Sequence, residues 1–349
     1  MTMVKTLKVK KEDAEKAKQF LMEKGWLDKS RIIGRTELRY IIFSLNETAK
    51  EDVLKKMFSG SKIEHKNMPL LPVIPGNLKQ MLKSVLPEKE IDNVIRSYDV
   101  IGNVAVLEIP KEMERYELQI AHALKRANPY IKTVLRKAGK ISEEFRIRPL
   151  KHISGEKITE TVHKEAGVTL HLDFSKVYYS PRSSGERTRI ARLVKPNEDI
   201  LVMFSGIAVY PLVIAKCQPN VHIWAIEKNP DAVAYAERNI RANHMGHIIT
   251  SVPGDVKDKV PELGLNFDRI VMPFPEKAFS FLDLAFKYIK PQGIIHYYTF
   301  LKEKDVEKHI AEIEKIAKKH GREIEIQNWL RAGSYAPRTW RMVFDILVN

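Results

Sequence analysis

The sequence predicts an α/β protein in which a doubly wound parallel sheet, over residues 173–349, follows two smaller α+β domains. In the C-terminal half, strand-like runs such as DILVMFS and VHIWAIE alternate with helical runs such as DAVAYAERNIRANH. This alternation is typical of a parallel sheet with helices on both faces. In addition, the chain has 349 residues, more than one core usually serves, so two or three domains are expected.

The domain boundaries are predicted from a proline-rich segment and from changes in pattern. Residues 67–77 include MPLLPVIPG, with three prolines in seven positions, which favours an extended linker. The predicted division is a small α+β domain over residues 1–66, the linker over 67–77, a basic α+β domain over 78–172 and the doubly wound domain over 173–349.

Local patterns predict the individual elements. In the smaller domains, strands are predicted at residues 6–9 and 39–45. Helices are predicted at 13–25, from a cap at Asn46 or Thr48 to Phe58, and around 112–127. Two hairpins are predicted to turn at Gly102 and at Gly167. The chain is predicted to end in strand IIHYYTF, helix DVEKHIAEIEKIAKKHG and strand WRMVFDILV.

Composition excludes several classes of protein. The single cysteine, Cys217, excludes an internal disulfide framework, a cysteine-rich zinc site and the cysteine triplet of an iron–sulfur cluster, so a reducing setting fits. We expect Cys217 in the core rather than as a nucleophile, because its surroundings are apolar. No histidine spacing indicates a metal site, and no run of 18 apolar residues indicates a membrane span. We therefore expect a cytoplasmic protein, without metal, that acts as a monomer.

The charge balance indicates a polyanionic partner. Lysine and arginine total 59 against 44 acidic residues, a formal net charge of +15. The strongest local excess of positive charge lies between residues 125 and 151, where the only acidic residues are Glu143 and Glu144. The basic residues of this segment are Lys125, Arg126, Lys132, Arg136, Lys137, Lys140, Arg146, Arg148 and Lys151. Strand-like TVLRK and FRIRPL would project alternate basic residues from a sheet, so we expect contact with RNA. The alternative is a solvated face.

The loops that follow the predicted parallel strands contain candidate cofactor residues. Ligands of such sheets bind at the carboxyl ends of the strands. Gly206 allows close backbone approach in its turn, and Glu227, 21 residues later, can accept hydrogen bonds from both ribose hydroxyls of a nucleoside. Asp255, in VPGD, can accept one from an adenine amino group. The candidate set is Phe204, Ser205, Gly206, Ile207, Glu227, Lys228, Asp255 and Pro275.

Two cofactors fit this pattern, a nicotinamide dinucleotide and S-adenosylmethionine. The Gly-x-Gly-x-x-Gly fingerprint that makes room for a pyrophosphate is missing, since only Gly206 is present. S-adenosylmethionine has no pyrophosphate. After strand RIVM, Pro273, Phe274 and Pro275 form a stiff loop where base-modifying methyltransferases carry an Asn-Pro-Pro-Tyr-like element. The order of the last strands also favours a class I Rossmann-like methyltransferase domain that binds S-adenosylmethionine.

The sequence resembles the archaeal and eukaryotic type of tRNA (guanine-37-N1)-methyltransferases. The matching segments are FRIRPLKHISGE, TVHKEAG, DFSKVYYSPRSSGERTRI, MFSGIAVYP, MPFPEKAF, HYYTF and SYAPR. The run from Ser180 to Arg187 is the most specific to that family. The resemblance implies methylation of guanosine 37 of tRNA at N1, and residues 1–66 would be the family's small tRNA-binding domain.

The chemistry requires a base and a cation. Guanine N1 carries a proton at neutral pH, so a general base must remove it as the methyl group arrives. Glu186, predicted in a glycine-flanked loop, matches the family's proposed base; the alternative is a surface carboxylate paired with Arg187 or Arg189. Negative charge then spreads onto O6, where a fixed cation stabilises the transition state. Arg146 matches the family's arginine in this role.

The resemblance also implies residues that bind the target guanine. Arg148, expected on the same side of a strand as Arg146, is the fallback for the cation. Tyr178 would stack on the extruded base, with a core tyrosine as the alternative. The proposed substrate-binding set is Tyr178, Arg148, Arg182, Pro273 and Phe274.

Two other functions stay open. Pro273 replaces an asparagine of many relatives, and the stretch after Tyr210 and Pro211 resembles an archaeal branch that methylates carbon 7 of a wyosine precursor at the same nucleotide. That reaction is an alternative or a second activity. An inactive RNA-binding scaffold is the third hypothesis, because Val202 and Met203 stand where an acidic residue often precedes the glycine turn.

Overall fold

The computed structural model describes residues 3–28, 31, 33–36, 40–68, 82–83, 86, 98–139 and 145–349. The chain forms two compact units, residues 1–96 with 110–130, and residues 97–109 with 131–349. Beyond Asn67 and Met68 the predicted linker lies outside the described residues. The predicted domain boundaries stay predictions.

The described part of the first unit is an antiparallel sheet with helices. The strands are β1 (Met3–Lys10), β2 (Gly34–Thr36), β3 (Tyr40–Ser44) and β4 (Lys62–Asn67), in the order β2-β3-β1-β4. The helices are α1 (Ala14–Glu23), α2 (Glu51–Met57) and α3 (Glu117–Ala127). Leu7 and Val9 alternate along β1 and are buried with Leu21 and Leu54. The predicted strands and helices of this region are thus confirmed.

The second unit begins with a small sheet and a hairpin. The sheet contains β5 (Tyr98–Ile101), β6 (Val104–Leu107), β7 (Thr133–Lys137) and β8 (Leu150–Gly155), in that order. The hairpin pairs β9 (Glu160–Glu165) with β10 (Val168–Asp173). The turns predicted at Gly102 and Gly167 are confirmed.

A seven-stranded sheet forms the rest of the second unit, in the order β13-β12-β11-β14-β15-β17-β16. Its strands are β11 (Asp199–Val202), β12 (His222–Glu227), β13 (Ile249–Pro253), β14 (Phe267–Met272), β15 (Ile289–Leu301), β16 (Ile324–Ala336) and β17 (Thr339–Val348). β11 to β15 pair in parallel, and β17 pairs antiparallel with β15 and β16. The α/β fold class is confirmed.

Helices cover both faces of this sheet. They are α4 (Ser184–Leu193), α5 (Val209–Cys217), α6 (Pro230–Ala242), α7 (Val256–Leu263), α8 (Leu282–Tyr288) and α9 (Val306–Lys319). Ile200 and Val202 pack into the core of α4 to α6, whereas Leu201 packs into the core of α7 to α9. This two-residue alternation is the one expected of a strand buried on both sides. Among the described residues, no helix is long and apolar enough to cross a membrane.

Three local predictions are wrong, and one strand was not predicted. Glu186 lies in the first turn of α4 rather than in a loop. The strand β8 begins only at Leu150, so Arg146 and Arg148 do not share a strand face. Cys217 is exposed at the end of α5. The strand β16 was not predicted, because its apolar residues follow no regular two-residue alternation and its residues are mostly exposed.

Candidate active site

A cavity of about 660 Å³ lies at the carboxyl ends of β11, β12 and β14. Sites for small molecules commonly measure about 300–1,000 Å³. The predicted residues that line the cavity are Arg146, Tyr178, Arg182, Phe204, Ser205, Gly206, Ile207, Glu227, Lys228, Asp255, Pro273, Phe274 and Pro275. Glu186 and Arg148 do not line it.

The loop after β11 is tightly turned. Phe204, Gly206 and Ala208 adopt left-handed φ angles of 54°, 57° and 65°, and such angles are costly for residues other than glycine. A side chain at Gly206 would meet open space, so the glycine leaves room on the cavity side. The hydroxyl of Ser205 is buried and has no hydrogen-bond partner among the described residues. The loop therefore offers a close approach and an unused polar group to a ligand.

Glu227, at the end of β12, organises this loop. Its Oε2 accepts a hydrogen bond from the Gly206 N–H at 2.7 Å, and its Oε1 accepts from the N–H groups of Lys228 and Asn229 at 2.9 and 2.8 Å. Burial raises the pKa of the Glu227 carboxyl above its ordinary value, while these N–H groups act in the opposite direction. A carboxylate has about four acceptor positions, so one remains for a ribose hydroxyl.

Asp255 caps the helix α7 at the neighbouring edge. Its Oδ1 accepts from the Lys257 N–H at 3.0 Å, and its Oδ2 lies 3.6 Å from the Lys228 ammonium. Phe274 and Phe281 contact Phe204 edge to face, with ring centroids 5.2 and 4.9 Å away. The cavity thus combines polar atoms at its sheet edge with an aromatic wall, as a nucleoside-containing ligand requires.

The other side of the cavity contains Arg146 and Tyr178. The guanidinium carbon lies 5.0 Å from the centre of the half-exposed Tyr178 ring and 5.9 Å from that of Phe274. Arg146 also pairs with Glu276 at 3.3 Å, and its φ is 58°. Its buried Nε has no hydrogen-bond partner among the described residues. A cation fixed between two rings with an unused donor is suited to bind a flat, electron-rich group.

Two further predicted residues hold the segments around the cavity. Arg182 donates to Asp99 of β5 at 2.9 Å. Arg148 lies 3.9 Å from Glu108, which also accepts from Lys137. Arg148 therefore lies before β8, beside Glu108, and not at the cavity.

Glu186 lies behind the cavity wall and is buried. Arg189 donates to both of its oxygens, at 2.8 and 2.9 Å, and the Tyr298 hydroxyl donates to Oε1 at 2.6 Å. Tyr298 itself lines the cavity. The carboxylate thus reaches the cavity through the hydroxyl of Tyr298.

A buried polar chain continues from Arg189 across the sheet. Arg189 also donates to Asp345 at 2.6 and 3.0 Å, and the Asp345 carboxylate accepts from His296 at 2.6 Å. His296 contacts Arg269 at 2.6 Å, and Arg269 binds Glu198 through two hydrogen bonds. Although burial opposes it, the donors His296 and Arg189 hold the pKa of the Asp345 carboxyl well below its usual range.

Comparisons with known proteins now identify the family. A model of the TRM5/TYW2 methyltransferase domain matches residues 161–326, and a model of the TYW2 N-terminal domain matches residues 78–159. The tRNA (guanine(37)-N(1))-methyltransferase Trm5b of Pyrococcus abyssi is 35% identical over 286 residues, which cover 79% of this chain and 84% of that protein. The chain belongs to the TRM5/TYW2 methyltransferase family.

Other members of the TRM5/TYW2 family match over most of their length. Trm5b of Methanocaldococcus jannaschii is 33% identical over 347 residues, 98% of each chain. The solved complex of aTrm5 with tRNALeu has a TM-score of 0.69 and 29% identity, and covers 99% of each chain. Taw22 of Nanoarchaeum equitans, a tRNA (guanine(37)-N(1))/4-demethylwyosine(37)-methyltransferase, is 32% identical over 72% of this chain and 99% of that protein.

Sequence reasoning missed several residues of this family site. Phe300 and Tyr335 stack at the rim of the cavity, with ring centroids 3.7 Å apart. Arg341 lines the cavity and donates to Ser183 at 2.7 Å. Tyr298 lies in the quoted motif HYYTF, but no role was assigned to it, and Arg189 was considered only as the partner of a surface Glu186. The sequence did contain one signal for this network. Arg269 and Asp345 are charged residues within apolar strands, and a charged residue in such a strand requires a buried partner.

Proposed function

We propose that this chain transfers the methyl group of S-adenosylmethionine to N1 of guanosine 37 of tRNA. The observation that carries the proposal is the position of Arg146, held on Tyr178 with a free Nε, in the same cavity as the Gly206 loop and Glu227. The activity is also the one in the names of the Trm5b relatives.

The cofactor half of the cavity fits S-adenosylmethionine. Glu227 would accept from one ribose hydroxyl, the Ser205 hydroxyl is unused, and Gly206 leaves space for close approach. Asp255 and Lys228 would lie at the adenine side, and Phe204, Ile207 and Pro275 would give apolar contact. When bound, S-adenosylmethionine supplies an electrophilic methyl group on a sulfonium sulfur.

The other half fits the guanine. Tyr178 would stack on the extruded base, which requires a flat aromatic surface. Arg146 would donate to O6, where negative charge develops as N1 loses its proton. Pro273 and Pro275 have no N–H, so their loop offers carbonyl oxygens to the amino group of guanine. Phe274 would pack at the edge of the base, and Arg182 near the phosphate backbone.

The test is to offer the protein and labelled cofactor to tRNA transcripts with guanosine or adenosine at position 37. We expect label only in the guanosine transcript, at N1, when the product is digested and analysed by mass spectrometry. Label at another nucleotide would contradict the proposal, and so would the absence of transfer with normal cofactor binding, which indicates a scaffold.

Methylation of carbon 7 of a wyosine precursor is the second candidate, because the Taw22 relative is named for both substrates. Pro273, in place of an asparagine side chain, leaves the choice of base atom less constrained. A third tRNA that carries the precursor at position 37 tests this activity. Transfer to carbon 7 together with N1 of guanosine would show a dual enzyme.

Glu186 is proposed as the final proton acceptor. We expect Glu186→Gln to lower the single-turnover methylation rate by about 10²–10⁴-fold, the usual contribution of a general base. Affinity for S-adenosylmethionine, measured by calorimetry, should change little, since Glu186 does not line the cavity. Full activity of the variant would remove Glu186 from the mechanism, and Glu262→Gln on the exposed side of α7 is the control.

The partner is tRNA, the molecule bound in the related complex. We further propose that the protein is a monomer and that it acts in the cytoplasm. Light scattering with and without tRNA tests the oligomeric state, and we expect one protein chain per particle in both samples.

A further inference from the structure

Tyr298 separates the buried carboxylate of Glu186 from the cavity. Its hydroxyl donates to Glu186 Oε1 at 2.6 Å and accepts from the Tyr210 hydroxyl at 3.1 Å. Both tyrosines line the cavity, whereas Glu186 does not. A hydroxyl oxygen has two acceptor lone pairs, so Tyr298 keeps one after the contact with Tyr210.

The groups behind Tyr298 carry an excess negative charge. In the chain from Glu186 to Glu198, Arg269 donates to His296 Nε2, which must therefore hold a lone pair, and Nδ1 donates to Asp345. His296 is thus neutral, in agreement with the lowering of its pKa by burial. Three carboxylates, Glu186, Asp345 and Glu198, then face two guanidinium groups, Arg189 and Arg269. Their sum is one negative charge, which a single proton neutralises.

Among the described residues, the ion pairs of these groups all lie within the chain from Glu186 to Glu198, and none joins it to a charge outside. Arg187, on α4, is paired with the buried Glu165 through two bonds of 2.6 Å. Arg341, on β17, is held by Ser183 and by the Ala332 carbonyl at the rim of the cavity. The cluster defined by Glu186, Arg189, Asp345, His296, Arg269 and Glu198 is therefore a buried acceptor for one proton.

We propose that Tyr298 is a catalytic residue that relays the guanine N1 proton to Glu186. This inference rests on the proposed function. The free lone pair of the Tyr298 oxygen accepts the N1 proton as the hydroxyl passes its own proton to Glu186 Oε1. The N1 lone pair forms the bond to the methyl carbon, and the electrons of the carbon–sulfur bond return to sulfur. Arg189 and Asp345 are positioning residues, because they fix the carboxylate without contact with the substrate.

The relay must be concerted. Burial raises the pKa of the Tyr298 hydroxyl well above its ordinary value, so neither a tyrosinate nor a free proton accumulates on the residue. The Tyr298 oxygen accepts the N1 proton and gives its own proton to Glu186 in the same step. The transferred proton remains on Glu186 after methyl transfer.

The experiment compares Tyr298→Phe with Tyr297→Phe. Both tyrosines are buried in β15, but the Tyr297 hydroxyl contacts His309 on the opposite face. Each variant therefore loses one buried hydroxyl from the same strand. We expect single-turnover methylation of guanosine 37 to fall about 10²–10³-fold in Tyr298→Phe and by less than about threefold in Tyr297→Phe. Cofactor affinity and thermal melting should be similar in the two.

The pH profile distinguishes a relay from a structural role. At high pH the guanine loses its N1 proton to solvent and needs no relay. The methylation rate of Tyr298→Phe should therefore rise, and the ratio of the wild-type rate to the variant rate should decrease. A ratio that is constant with pH, or a Tyr298→Phe variant with the wild-type rate, would overturn the relay. If the wild-type protein itself forms no N1-methylguanosine, the proposed function fails first, and the two failures are thus distinct.

Discussion

Arg146 shows how a single residue is placed by its backbone. A φ of 58° is rare for a residue with a side chain and costs about 1–2 kcal/mol. In this conformation the guanidinium lies between Tyr178 and Phe274. Strained residues of this kind concentrate at functional sites, where the surrounding structure fixes them.

The role of Arg146 is tested by Arg146→Ala. We expect the methylation rate to fall about 10²–10³-fold, as when one donor to a developing oxyanion is lost, with a smaller change in tRNA affinity. Rapid-quench kinetics at saturating tRNA measures the rate. Arg148→Ala is the matched comparison, and a larger loss in that variant would transfer the role to the fallback residue.

Glu227 is proposed to bind the cofactor and to take no part in the chemical step. Glu227→Gln removes acceptors for the backbone N–H groups that shape the Gly206 loop. Hydrogen bonds to a charged group contribute about 1.5–3 kcal/mol, so affinity for S-adenosylmethionine should fall at least about tenfold. Calorimetry tests this, with Glu237→Gln on α6 as the control. An unchanged dissociation constant would separate Glu227 from the cofactor.

At the scale of elements, strands β14, β15 and β17 each bury a polar or charged residue in an apolar run. His296 and Asp345 are direct partners across β15 and β17, and Arg269 is paired with Ile294, two residues before His296 on β15. Their mutual contacts extend to Arg189 on α4. The network therefore fixes the helix that carries Glu186 against the sheet, which the apolar contacts alone would do with less angular precision.

We expect Asp345→Asn to lower the free energy of unfolding by about 3 kcal/mol, since it leaves the half-buried guanidinium of Arg189 partly uncompensated and removes the acceptor of the buried His296. The pKa of Asp345 is depressed in the folded state, so its contribution is full above the unfolded value of about 4 and is lost as the pH falls below it. The difference in the free energy of unfolding between wild type and variant should therefore be smaller at acid pH. Urea unfolding at pH 7 and pH 3 measures it, and a difference independent of pH would contradict this account.

At the scale of the whole molecule, the formal net charge of +15 gives the attraction to tRNA its dependence on salt. Neutralised phosphates release counterions.

We expect tRNA affinity to fall at least about tenfold when salt rises from about 50 to about 200 mM. Affinity for S-adenosylmethionine, which carries little charge, should stay nearly constant. Filter binding and calorimetry in the same buffers compare the two, and an equal loss of both would indicate a change in the protein.

The sequence by itself determined the alternation of strands and helices, the loops that line the cavity and the family resemblance. These are local signals, because hydrophobic period and turn residues act over a few positions. Glu227 and the Gly206 loop were found for this reason. The strand β16 was missed because its placement depends on pairing with β17 and not on its own pattern.

Only the tertiary structure decided how Glu186 relates to the cavity. Its contact with Tyr298, and the chain through Asp345 and His296, join residues that lie far apart in sequence, whereas its pair with Arg189 is local to α4. No spacing rule encodes such contacts, since they follow from strand order and from the packing of α4 on the sheet. The sequence named the carboxylate, and the fold placed a tyrosine hydroxyl between it and the cavity.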